Sequence, residues 1–133
     1  MGGRSIALFL SSRSKTSKMP LVDVTYDDTV GEPLLIRLGK ILPDVVAEAV
    51  DCPEEPWVGP AQDGDVEIQF RGKEAIDVGG LNVVVEVRTK LFESRLVDKQ
   101  RRVDLILEHL SGLGLGKIGV WLTLADGAWS QAV

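Results

Sequence analysis

This chain is poor in the residues that build covalent links and metal centres. It has one cysteine, Cys52, and one histidine, His109, so an intrachain disulfide and a Cys/His zinc site are both excluded and no metal centre is expected. It also lacks long hydrophobic runs near its start. The apolar stretch at residues 6–10 is too short for a membrane span or a secretory core segment. Acidic residues are missing from residues 1–18, which carry Arg4, Arg13, Lys15, Lys18 and five serines. Those four positive charges, set against a whole-chain net of −5, leave −9 for residues 19–133. A domain with that balance does not offer the clustered positive surface that nucleic acid or an anionic membrane needs. Any anionic ligand must be held by local arginines. A phosphate loop is missing too: the glycine-rich run at residues 112–117 has Ser111 where a Walker motif needs glycine and Ile118 where it needs Ser or Thr, and it follows a helix.

What is present begins at residue 19. The basic, serine-rich leader at residues 1–18 is read as lying outside the fold: a transit-like segment, a misassigned start or an added segment. Residues 19–133 suffice for a single domain with one core, and 44% hydrophobic content agrees. Lone Cys52 fits a reducing, cytoplasmic setting. Met19-Pro20-Leu21-Val22 reads as a second translation start. Loss of Met19 would leave Pro20 as a free secondary amine, a base that no internal residue supplies. If the chain keeps its leader, the same nitrogen is an amide and takes no proton.

Hydrophobic periodicity gives the elements. Residues 20–25 alternate as a short strand. Leu34, Leu38, Ile41, Val45 and Ala49 recur every three or four residues and predict a helix over Glu32–Val50, with Pro33 in its first turn and a kink or break at Pro43. Residues 51–64, with three prolines, form a loop. Val66, Ile68 and Phe70 alternate with Glu67, Gln69 and Arg71 as a second strand, and residues 73–80 form an irregular turn ending in Gly79-Gly80. Residues 83–87, closed by Arg88, suit a central strand covered on both faces. Leu96, Val103, Ile106, Leu107, Leu110 and Leu113 make the stripe of a second helix, with Arg101 and Arg102 among the residues on its polar side. Ile118, Val120, Leu122 and Leu124 mark a fourth strand.

The order is a duplicated βαβ, or βαββαβ: an α+β fold with a four-stranded sheet and both helices on one face, since each parallel crossover is right-handed. The other sheet face is left bare. At ~25 cal/mol per Å² an exposed apolar sheet face of several hundred Å² favours self-association, so a homo-oligomer with sheets packed together is expected. A ferredoxin-like domain shares the same element order.

The Pro20 start, the run VVEVRTKLFESRLVDKQ at residues 84–100 and the run LTLADGAWS at residues 122–130 resemble the tautomerase superfamily over residues 20 to about 130. The resemblance implies a MIF-like homotrimer and a cofactor-free isomerase, or a related decarboxylase or dehalogenase, acting on a small anionic metabolite. It makes Pro20 the acid/base. It places the substrate-binding pair at Arg88 and Lys90, with Lys90 standing where a second arginine is expected and therefore offering a point charge in place of a planar fork. Arg71 is a further candidate. Glu67 stands where some relatives carry an arginine. Trp129 is the wall that keeps the site dry, while Trp121 is expected to pack in the sheet. Arg37 and Arg95 are assigned to helix surfaces, Asp126 to a turn and His109 to a surface or packing role. A noncatalytic ligand-binding or interaction module on the same scaffold is the competing reading.

Overall fold

A computed structural model describes residues 20–132. The proposed start at Met19 and the leader lie outside the described residues. The elements are β1 (Leu21–Tyr26), α1 (Glu32–Val50), β2 (Glu67–Gly72), β3 (Val83–Lys90), α2 (Glu93–Val97), α3 (Lys99–Ser111) and β4 (Ile118–Ala125). The sheet order is β2-β1-β3-β4. β1 runs parallel to β2, β3 runs parallel to β4, and the central pair β1–β3 is antiparallel. The two βαβ halves therefore meet along β1 and β3. The element order is that of the ferredoxin-like alternative, but pairing of the first and fourth strands, which that fold requires, does not occur among the described strands.

Strand alternation decides what each sheet face carries. Val22, Val24, Val83, Val85 and Val87 are at most 1% exposed and point to the helices. They pack with Leu38, Leu42, Val46 and Val50 of α1 and with Ile106 and Leu110 of α3. At ~25 cal/mol per Å² of apolar area removed from water, this shared layer is the main force holding helices to sheet. Helix α1 begins with proline in its first turn and continues without a break through Pro43. The expected break is absent because the α1 face on the core is broad: Leu42, Val45, Val46 and Ala47 are buried on both sides of the proline, and their packing outweighs one lost backbone bond.

Three expectations need correction. The second helix is two helices, divided at Asp98, whose backbone (φ −128°, ψ 30°) leaves the helical region. β3 is covered on one face only: Val84 and Glu86 are half-buried and Arg88 is exposed. The bare face of the sheet is largely polar, because the alternation that buries the valines sends Asp23, Thr25, Gln69, Arg71, Glu86 and Arg88 the other way. Its apolar members are few, among them Leu21, Val84 and Trp121. Among the described residues, no helix is long and apolar enough to cross a membrane.

Candidate functional site

Where β3 and β4 end, the chain turns back past the start of β1 and leaves a shallow groove of about 150 Å³. Leu21, Ala125, Ala128 and Trp129 wall it, and Arg88 and Lys90 supply its charge. The register explains the meeting: Leu21 lies opposite Arg88 across the β1–β3 ladder, and Lys90 lies beside Ala125 across β3–β4. Arg88 and Lys90, two residues apart on one strand, project to the same face. Three of the five residues singled out in the sequence thus line one groove.

Pro20 is buried immediately before Leu21. Its carbonyl accepts the Glu67 N–H at 3.1 Å, which ties the chain to β2 just outside the strand. It does not itself line the groove. Arg71 lies away from the groove, paired in register with Thr25, and its guanidinium is 3.7 Å from Asp23. Trp129 is 37% exposed and its indole N–H donates to Gln131 Oε1 at 2.8 Å. Trp121 does not pack in the sheet. It is 63% exposed because its position opposite Glu86 puts it on the bare face, and its N–H donates to Thr123 Oγ1 at 2.9 Å.

Each groove cation already has a carboxylate partner. Arg88 Nη2 donates to Asp23 Oδ2. Lys90 Nζ is 3.5 Å from Glu55 Oε2. Glu55 is 8% exposed, and its other oxygen accepts from Arg95 Nη2 at 3.2 Å. Arg95 is the most consequential residue missed in the sequence: far from lying on a helix surface, it is 1% exposed. Its Nε donates to the Val50 carbonyl at 2.7 Å and its Nη1 to the Lys90 carbonyl at 3.0 Å, and it lies over the Phe92 ring. Arg102 is 4% exposed and its Nη1 donates to the Ala49 and Asp51 carbonyls.

Helix α1 has no basic residue in its last turn, yet its final carbonyls carry the negative end of the helix dipole and need donors. Arg95 and Arg102 supply them from a distance. Arg95 thereby joins the end of α1, the Glu55 loop and the last residue of β3 into one support behind Lys90. The spacing held a signal: Arg95 and Arg102 are seven residues apart, and Arg102 precedes Ile106 and Leu110 by four and eight, on the buried stripe.

Asp98 accepts from Arg101 and then from Arg102, which together hold its carboxyl below the usual carboxylate range. Asp27 is likewise lowered, by the Thr29 hydroxyl and then the Asn82 amide, and Glu54 by the Ser94 hydroxyl. All three are bonded away from the groove. Among the described residues no group of three His, Cys, Asp or Glu side chains is placed to hold a metal ion.

No family model and no curated protein matches the chain. Solved structures do. FG41 malonate semialdehyde decarboxylase, crystallised inhibited by 3-bromopropiolate, is 15% identical and superposes with a TM-score of 0.61 over 85% of this chain and 91% of that one. MIF2 of Leishmania major is 14% identical, with a TM-score of 0.55 over 84% and 93%. A 5-carboxymethyl-2-hydroxymuconate isomerase from Deinococcus radiodurans R1 is 16% identical, with a TM-score of 0.54 over 88% and 92%. The likeness covers 84–88% of this chain and 91–93% of the others, and the chain shares the fold of these proteins.

Proposed function

We propose that this chain is a cofactor-free enzyme of the tautomerase type. Pro20, freed as an amino terminus by loss of the residues before it, moves a proton on a small carboxylated 2-oxo or enol substrate. The observation that carries this reading is the groove in which Arg88, Lys90 and Trp129 meet beside the strand that Pro20 opens. A secondary amine at buried Pro20 loses stability in its charged form by desolvation, so its pKa falls and it serves as a base near neutral pH. The proline nitrogen takes a proton from one substrate atom and returns it to another, so the isomerisation is balanced without a further reactant. Arg88 holds the carboxylate, Lys90 holds the second oxygen, and Trp129 excludes water. Arg71 acts indirectly, through Asp23.

In this reading residues 1–18 are a removable leader, and the working protein is a cytoplasmic homo-oligomer of trimeric form. The competing reading is a noncatalytic binding module. One observation favours it: residues 1–19 precede Pro20 in the sequence, and in an uncleaved chain that nitrogen is an amide.

Intact mass and amino-terminal sequencing of protein expressed from its native gene come first. With a chain beginning at Pro20, turnover of phenylenolpyruvate is expected, and Pro20→Ala should lower it ~10²- to 10⁴-fold. Arg88→Ala should chiefly raise KM. Equal turnover by wild type and Pro20→Ala, in chains beginning at that residue, overturns the proline mechanism.

A further inference from the structure

The bare sheet face carries a row of three side chains, Arg71 on β2, Asp23 on β1 and Arg88 on β3, of which the proposed chemistry uses only Arg88 directly. The Asp23 side chain is 19% exposed, against 66% for Arg71 and 43% for Arg88. Its direct cross-strand neighbours give it no cation, being Gln69 on one side and Glu86 on the other. Two carboxylates opposite each other repel. Asp23 therefore reaches diagonally, to Arg88 with one oxygen and toward Arg71 with the other.

We infer that Asp23 is a specificity-determining residue of the groove, an internal carboxylate that stands on Arg88 and must be displaced by the ligand. This inference rests on Arg88 being the anion holder proposed above. A ligand that brings only a neutral carbonyl or hydroxyl cannot replace a charge-assisted bond between guanidinium and carboxylate. A ligand carboxylate can, because it offers the same charge with two oxygens in one plane. Arg71 makes the exchange feasible: when a ligand takes Arg88, Asp23 keeps a cation within 3.7 Å. Lys90 differs, because its partner Glu55 is locked by the buried Arg95. The two groove cations are thus unequal, Arg88 guarded by a carboxylate that can turn away and Lys90 by one that stays.

The test is binding of phenylpyruvate, followed by calorimetry at low ionic strength, to the full chain and to its Asp23→Asn and Glu86→Gln variants. Both variants remove one negative charge from the same sheet face, but only the first contacts Arg88. Asp23→Asn should tighten phenylpyruvate binding roughly two- to fivefold, as expected for release of a partly exposed ion pair, while Glu86→Gln should change it less than twofold. Equal tightening by both variants overturns the inference in favour of a general field effect. Unchanged binding in Asp23→Asn overturns it while leaving the groove as an anion site. Phenylglyoxal labelling of Arg88, read by peptide mass spectrometry, provides a ligand-free arm, with faster labelling expected in Asp23→Asn. If none of the three proteins binds phenylpyruvate and labelling is also unchanged, both the inference and the anion-holding role of Arg88 fall. If binding is absent but labelling accelerates, Asp23 does hold Arg88, but the groove reading fails and the specificity role of Asp23 falls with it.

Discussion

Arg95 donates to the Val50 carbonyl at 2.7 Å, so a residue of α2 finishes helix α1. The same guanidinium bonds Glu55 and the Lys90 carbonyl. Removing it takes a donor from two carbonyls and leaves the buried Glu55 carboxylate to Lys90, 3.5 Å away. Arg95→Ala should destabilise the domain by about 3–5 kcal/mol, read as a lower urea midpoint, whereas Arg101→Ala, at a side chain 66% exposed, should change stability by under ~1 kcal/mol. Arg95→Lys should fall between, since an ammonium keeps the charge but not the fork.

Gly116 and Gly114 both have positive φ, +85° and +78°, and the two differ in their surroundings. A methyl group on Gly116 would overlap Asn82 Oδ1, while at Gly114 it would meet open space. Asn82 is not free to yield: its Oδ1 accepts from the Lys117 N–H at 2.8 Å and its amide donates to Asp27 at 2.8 Å. Gly114→Ala should cost about 1–2 kcal/mol from backbone conformation alone, and Gly116→Ala should cost more. Equal melting temperatures for the two variants would contradict the packing at Asn82.

Gly39 is the opposite case. It sits in the middle of α1, and an added methyl would lie 3.5 Å from the Phe70 ring, in ordinary contact. Glycine in a helix interior is unfavourable by ~1 kcal/mol relative to alanine. Gly39→Ala should therefore raise stability by about 0.5–1 kcal/mol, measurable by thermal denaturation.

Acid should weaken the fold in a defined window. Asp98, Asp27 and Glu54 titrate below their ordinary values in the folded protein, so between the folded and unfolded pKa values the unfolded chain binds more protons. Their contribution is complete above the unfolded values, about pH 4, and is lost as pH falls through the folded ones. A urea midpoint that is flat from pH 7 to about 5 and falls below pH 4 is expected, and Asp98→Asn should reduce the steepness of that fall.

Much of the fold was legible because periodicity reports burial directly. The valines of β1 and β3 and the stripe of α1 gave strand and helix positions, and the helix bounds Glu32–Val50 agree with the structure. Arg88, Lys90 and Trp129 were legible as candidates, and the register brings them together. The partners of Arg88 and Lys90 were not. Asp23 is polar on a strand and Glu55 lies in a proline-rich loop, and nothing local says which cation either meets. Arg95 and Arg102 were misplaced because charge was read as exposure. A guanidinium with enough carbonyl and carboxylate acceptors is buried without an unmet donor, and one acceptor for each of these two arginines is a carbonyl of α1, some 50 residues earlier in the chain.

The pairing of β1 with both β2 and β3 also sets the order of events in folding. β1 leaves the ribosome first of the four strands, yet Leu21 waits for Glu67 on one side and for Arg88 on the other. Neither half can complete its share of the sheet alone, since each half's inner strand is the other's neighbour. Loop-closure entropy must be met before these distant pairings stabilise anything. Nascent chains stalled before β3 have only the β1–β2 pair under α1, with the other edge of β1 open, and should remain sensitive to protease until β3 is clear of the exit tunnel.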